Sequence, residues 1–311
     1  MSAARRWLKP LRYAVAVLLL VWLFSRFPLS QVGAVLARAG LPTLLLGAAA
    51  AVAAQMVASV RLALVARHHG FTITAREASG INFAAAFYGL TVPAGNLAGG
   101  AVRIFRLGGG GRPMPALAAV FADRVHATYG MLLAGSIFWL ADPVARPPAL
   151  GLALLGITAA VPGAYLLLRK GSPLAARLPE KWSRALGREA AIAPSETARI
   201  VGLSMVAQLF GLGAVVAAAF AVGLGVSPLT LGWVRTAVMM LVMLPITIAG
   251  FGVREGALVA VLAQYDIPGE QAVAFSLLMF ALATLPNGAI GGALEAWRLL
   301  RPGRRAADPP M

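Results

Sequence analysis

The chain has 311 residues, 59% hydrophobic and only 12% charged, with three His and no Cys. An ordinary soluble domain carries roughly 25% charged residues, so the composition excludes that class and reads as an integral membrane protein; the missing thiols exclude disulfides, thiolate metal sites and a Cys nucleophile. The net charge is +16, but Lys and Arg fall mainly between apolar stretches, which suits anionic lipid headgroups and argues against nucleic acid as a partner.

A helix needs about 20 apolar residues to cross the hydrocarbon core. Tyr13 to Phe24 is short, follows Arg5, Arg6, Lys9 and Arg12, and lacks a small-residue cleavage site. It reads as a retained, tilted first span. Leu41 to Val60 is the next span. Phe83 to Val92 then runs into a cluster of Pro and Gly, from Pro93 to Gly100. Val125 to Ala141 is preceded by Asp123 and Arg124, which predicts a helix starting near Ala116 with charges in its first turns. Ala149 to Leu168 and Ile200 to Leu224 are further spans. Between them, residues 169–197 form a basic loop with three Pro, too short for a core of its own and suited to an interfacial helix. Thr236 to Leu244 runs into a second break, Pro245 to Gly252. Ala272 to Leu294 is the last span, and 301–311 reads as a disordered tail.

At lipid depth every backbone polar group must be satisfied, so such breaks are tolerated only where they face protein or a wet cavity. Both read as re-entrant helix pairs, with Pro93, Gly95 and Gly99 as the structural breaks of the first and Pro245, Gly250 and Gly252 of the second. Arg103 follows Pro93 by ten residues and Arg254 follows Pro245 by nine. The spacing between the breaks is about half the chain, as an internal duplication would give. Paired interruptions of this kind in two halves point to a transporter's binding site.

Basic loops order the spans. The N-terminal segment, Arg61 to Arg76, Arg169 to Arg199 and the cluster Arg298, Arg301, Arg304 and Arg305 share the cytoplasmic side. Phe27 to Gly40, Asp142 to Pro148 and Gly225 to Pro228 fall outside. The expected fold is all-α: a polytopic helical membrane protein of about six full spans plus two re-entrant pairs of opposite orientation. It forms a single integral membrane domain, 1–311, whose halves, about 1–155 and 156–311, are inverted repeats. Both termini are cytoplasmic, in a bacterial-type inner membrane.

Charges within a span cost about 2.5–3.5 kcal/mol each on insertion scales and face a cavity or a partner. Arg254 and Glu255 follow the second break: Arg254 suits a lipid phosphate through bidentate bonds, with Glu255 orienting it or sensing a proton, or an ion pair pins the re-entrant loop to a neighbouring helix. Arg103 and Arg106 share a helical face, holding a headgroup or acting as basic anchors. Asp123 and Arg124 point roughly 100° apart, so each needs another partner; Arg103 for Asp123 and Glu255 for Arg124 are the natural choices. Asn96 caps a half-helix or faces the cargo. Substrate-binding candidates are therefore Asn96, Arg103, Asp123, Arg124, Arg254 and Glu255. His126 reads as a packed core residue, Arg235 as snorkelling to the interface, and Gln208 and Asn287 as interhelical polar contacts. Helix N-termini at the breaks would add partial positive charge for a phosphate. No catalytic residue, metal site or cofactor is expected. No nucleotide-binding motif is present, and Gly108 to Arg112 reads as a flexible loop.

Three segments carry a resemblance: Leu90-Thr-Val-Pro-Ala-Gly-Asn-Leu-Ala-Gly-Gly-Ala-Val-Arg103, the pair Asp123-Arg124, and Leu244-Pro-Ile-Thr-Ile-Ala-Gly-Phe-Gly-Val-Arg-Glu255. With them the chain resembles the transmembrane, flippase-like domain of lysylphosphatidylglycerol synthases and its stand-alone membrane relatives, from about Leu41 to Leu300. The resemblance implies a domain that moves lipids between leaflets. In bifunctional members aminoacylation resides in a separate soluble domain, so synthase activity is not expected here. Gly99-Gly100 stand where many relatives have an acidic residue, and no carboxylate role falls there. The expected function is a lipid flippase-like transporter whose partners are membrane lipids with anionic headgroups, together with a homo-oligomeric copy or a lipid-biosynthesis protein. The alternative is an accessory protein or enzyme of lipid or polyprenyl, including hopanoid, metabolism.

Overall fold

The computed structural model describes residues 30, 33–34, 37–92, 96–109, 111–168, 192–243 and 252–300. The described residues form helices and turns: α1 (Leu41–His68), α2 (Ala75–Thr91), α3 (Asn96–Gly108), α4 (Pro113–Ala141), α5 (Pro148–Leu168), α6 (Pro194–Ala221), α7 (Pro228–Met243), α8 (Val253–Leu262), a 3₁₀ turn (Ala263–Tyr265) and α9 (Gly269–Leu300). The protein is thus an all-α, polytopic helical membrane protein, as its hydropathy predicts. At 28, 28 and 32 residues, α1, α6 and α9 are long and apolar enough to cross a membrane. The first span Tyr13 to Phe24, most of the 169–197 loop, the 301–311 tail and the break residues Pro93, Gly95, Pro245 and Gly250 lie outside the described residues.

The short helices behave differently. α2 packs on α3, and α7 on α8. With 13 and 10 residues, α3 and α8 extend roughly 20 and 15 Å at 1.5 Å per residue, about half a hydrocarbon core. Two boundaries differ from the sequence reading. α1 continues past Val60 to His68, so Arg61 sits inside a helix and not at the head of a loop. α4 begins at Pro113, a residue preorganised for the first helical position, so Asp123 lies about three turns deep.

The element order repeats. α1 to α4 begin at Leu41, Ala75, Asn96 and Pro113; α6 to α9 begin at Pro194, Pro228, Val253 and Gly269, offsets of 153, 153, 157 and 156 residues. Local chemistry repeats at the same offset. Both α1 and α6 close through a glycine with positive φ, Gly70 and Gly223, after which Phe71 and Leu224 donate back to the carbonyls of Ala66 and Ala219. This closure satisfies carbonyls that the helix end leaves unpaired. Thr74 caps α2 by accepting from the Glu77 N–H, and Ser227 accepts from the Thr230 N–H at the start of α7.

Two compact units divide the chain, and each draws on both halves. One comprises 1–51, 132–155 and 210–283, and the other 52–131, 156–209 and 284–311. The first contains the α7–α8 hairpin together with the end of α4. A Cβ added at Gly135 would lie 2.6 Å from the Thr236 side chain, so glycine lets α4 approach α7. The second unit contains the α2–α3 hairpin together with the end of α9, where a Cβ at Gly291 would lie 2.0 Å from the Phe83 carbonyl oxygen. Gly135 and Gly291 are 156 residues apart, Phe83 and Thr236 are 153 apart, so the same contact occurs in both units. Trp233, Leu258, Leu262 and Phe275 are fully buried in the first unit; Leu62, Val65, Ala78 and Ile200 are in the second. Large side chains such as Leu46, Phe220 and Leu299 remain exposed, as lipid contact requires.

Candidate functional site

In the second unit α1 and α4 bring Arg61 and Asp123 together, both buried, at 5% and 3% exposure. The pair is bidentate: Arg61 Nε donates to Asp123 Oδ1 at 2.8 Å and Nη2 to Oδ2 at 3.4 Å. Arg61 Nη1 reaches Ser204 Oγ on α6 at 3.5 Å. Gly130 makes this assembly of helices dense, since a Cβ there would lie 2.3 Å from Ser204 Cβ. The partner expected for Asp123 was Arg103. The structure corrects this, because α1 runs on far enough to place the guanidinium of Arg61 on the carboxylate. Arg103, on α3, is held instead within the electrostatic reach of Asp123, Arg61 and Arg124. Its Nε is buried and has no hydrogen-bond partner. Arg124 is exposed, roughly 100° around α4 from its buried neighbour Asp123. Gly99 lets α3 approach α2 closely, a Cβ there falling 2.7 Å from the Ala85 carbonyl oxygen. α3 begins at Asn96.

In the first unit the second break ends at Gly252, whose φ of 82° suits glycine and few other residues. Its N–H donates to Glu255 Oε2 at 2.7 Å, so the acid satisfies the start of α8. The other oxygen, Oε1, accepts from Arg254 Nε at 3.0 Å and from Ser276 Oγ on α9 at 3.0 Å. Arg254 Nε also donates to Ser276 Oγ at 2.9 Å, and the guanidinium lies 4.5 Å from the centre of the Phe280 ring. Arg254 and Glu255 are 3% and 1% exposed. The expected match of Glu255 to Arg124 is therefore replaced by one with its chain neighbour, because the tight turn at Gly252 folds the carboxylate back over the first turn of α8. The α8 N-terminus thereby holds its own anion.

The same unit contains a third buried acid. Asp142 Oδ2 accepts from Thr230 Oγ1 at 2.7 Å and from Trp233 Nε1 at 2.9 Å, tying the end of α4 to the first turn of α7. The sequence reading left Asp142 in an external loop. Arg61 it left in a cytoplasmic one, although a lone arginine four residues short of the end of a continuous apolar run, Leu62 to Val65, was the available signal. Among the remaining charges, Arg106 pairs with Glu295, which also accepts from Arg298 at 3.2 Å. His126 Nδ1 lies 2.9 Å from the Ala122 carbonyl oxygen, one turn back. Arg235 places its guanidinium beside Gly211 of α6. Arg112, in the glycine-rich loop, donates to the Gly70 carbonyl at 2.9 Å and stacks over Phe71, so that end of the loop is anchored.

Long apolar helices, two short helical hairpins and buried ion pairs define a helical membrane domain. The model of one family, the lysylphosphatidylglycerol synthase TM region, matches residues 11–291. The chain belongs to this family. Comparison with curated proteins found no match.

Proposed function

We propose that the protein moves a lipid headgroup between the leaflets of a bacterial-type cytoplasmic membrane, with both termini cytoplasmic and the two hairpins entering from opposite faces. The family supports an association with lipid metabolism or flipping. One observation carries the reading: two hairpins whose second helices are too short to cross, at matching positions of a repeated helix order, each lie in a unit with a buried ion pair. Interrupted helices in paired halves are how many transporters build a polar site at lipid depth, and intramembrane charges serve such sites. A headgroup crosses by way of such a polar site while its tails stay in the bilayer.

The test is transbilayer exchange of fluorescent lipids of several headgroups in liposomes holding the purified protein. Exchange above protein-free liposomes, reduced in Arg254→Ala and Glu255→Gln, is the expected result. Exchange at the protein-free level for every headgroup, with the protein folded, favours an accessory role in lipid metabolism. Orientation is checked separately, since the chain has no Cys: Gly111→Cys should react with an impermeant thiol reagent only from the cytoplasmic side, and Gly225→Cys only from outside.

A further inference from the structure

We infer that each short hairpin is a strap fastened at its base by a clamp from the end of a long helix, and that it opens there as one cooperative unit. The inference concerns motion alone and needs no assumption about the cargo. In the first unit the base of α7–α8 is fastened twice to the turn that follows α4. Asp142 accepts from Thr230 Oγ1 at 2.7 Å and from Trp233 Nε1 at 2.9 Å, both in the first two turns of α7, and from the Val144 N–H at 3.2 Å. Just past α8, the Tyr265 hydroxyl accepts from the Arg146 N–H at 2.7 Å and donates to the Arg146 carbonyl at 3.2 Å. Tyr265 also lies within electrostatic reach of Asp142. One turn therefore holds both the start of α7 and the end of α8. Its carboxylate is met by neutral donors, and Thr230 and Trp233 are fully buried.

The second unit has a clamp at the same place, built from other chemistry. At the offset of 153 residues between α2 and α7, Trp233 corresponds to Gly80; at the offset of 156 between α4 and α9, Asp142 corresponds to Arg298. Those two residues also meet. A Cβ at Gly80 would lie 3.2 Å from Arg298 Nη2, so glycine leaves room for the guanidinium against α2. Arg298 donates to Glu295 at 3.2 Å, and Glu295 pairs with Arg106 in the last turn of α3. The end of α9 thus reaches both helices of α2–α3, as the turn after α4 reaches both ends of α7–α8. Since the side chains share no chemistry, what repeats is the place of fastening. The two clamps respond to different conditions. Side-chain exposures of 21% at Arg106, 14% at Glu295 and 55% at Arg298 open the second to screening by salt, whereas the first is closed by buried hydrogen bonds.

The test is amide hydrogen exchange along the full chain in uncharged detergent, which reads local opening helix by helix. Asparagine offers one acceptor oxygen where the carboxylate offers two, so Asp142→Asn strands the N–H of Val144 or of Trp233. Amides of α7 and α8 together should then exchange about tenfold faster, the scale of one hydrogen bond to a charged group, with α2 and α3 unchanged. Tyr265→Phe, at the other end of the hairpin, should speed the same amides, and it carries the test if Asp142→Asn does not fold. In the wild type, added salt should speed exchange in α2 and α3 and leave α7 and α8 as they are. Faster exchange confined to the first turns of α7 in Asp142→Asn, or to the turn around Tyr265 in Tyr265→Phe, would reduce these contacts to local caps and overturn the proposal. Faster exchange in every helix would overturn it too, as a loss of global stability. Salt-independent exchange in α2 and α3 would contradict the ionic clamp. Lipid movement is not read in this experiment, so the strap and the transport reading fail separately.

Discussion

The α2–α3 and α7–α8 hairpins follow one plan, yet the charges around them differ. Their partner helices end in the same glycine closure, their first helices start on a hydroxyl cap, and each lies against a glycine of a long helix, Gly291 or Gly135. None of the ion-pair residues repeats. At the offsets of the helix starts, Arg61, Asp123 and Arg103 correspond to Ala214, Met279 and Ala260, and Ser276 to Val120. Close packing tolerates little change in volume, so backbone contacts persist in both copies. Charges depend only on having a partner, and each copy has found its own. One pair therefore joins chain neighbours at the start of α8, and the other joins two long helices, α1 and α4.

This contrast ranks the variants that would break it. The largest effect is expected at Asp123. Asp123→Ala leaves the buried guanidinium of Arg61 uncompensated and should destabilise the protein by about 3–5 kcal/mol, read as a fall in thermal stability in detergent. Adding Arg61→Met should recover part of the loss, which a purely steric defect at position 123 would not allow. Glu255→Ala comes next, at about 3 kcal/mol, since it strands Arg254 and uncaps α8; the Arg254→Met, Glu255→Leu double variant should be milder on the same readout. Gly291→Ala forces a methyl group onto the Phe83 carbonyl and should cost about 1–3 kcal/mol, with Gly135→Ala smaller because the Thr236 side chain can move.

The smallest effect concerns the cap of α2. Bonds from the Thr74 N–H and hydroxyl hold the Glu77 carboxyl below its ordinary pKa. Its folded value is depressed, so the carboxylate's contribution is complete above the unfolded pKa and is lost as pH falls through the folded one. The Tm difference between wild type and Glu77→Gln should thus be present at neutral pH and vanish in acid. A difference that persists in acid would mean that the cap does not depend on charge.

Hydropathy made the long helices legible, because about 20 apolar residues in a row have few other uses. The clusters that interrupt Phe83 to Val92 and Thr236 to Leu244 likewise marked the two hairpins. Pairing was not legible. Adjacency of Arg254 and Glu255 hid their contact, because neighbours on a helix point apart until a positive-φ glycine turns the carboxylate back. Arg61 was misplaced because a cation beyond a 20-residue apolar run is counted as loop, whereas α1 extends to His68. Asp142 looked like a solvated loop acid, and only the fold brings Trp233 and Thr230 to it from 88 residues away or more. Repeat symmetry was visible as two breaks; the shared caps and glycine contacts required coordinates.

The central claim is that the two interrupted hairpins and the buried ion pairs of their units serve a lipid headgroup that crosses the membrane. It is tested most directly by leaflet exchange of tail-labelled phosphatidylglycerol in liposomes containing wild type or Arg254→Ala, with folding verified for both. The account predicts exchange above protein-free liposomes for the wild type and a loss of about tenfold in the variant. Equal rates in wild type and variant, or no exchange by the wild type, would contradict it.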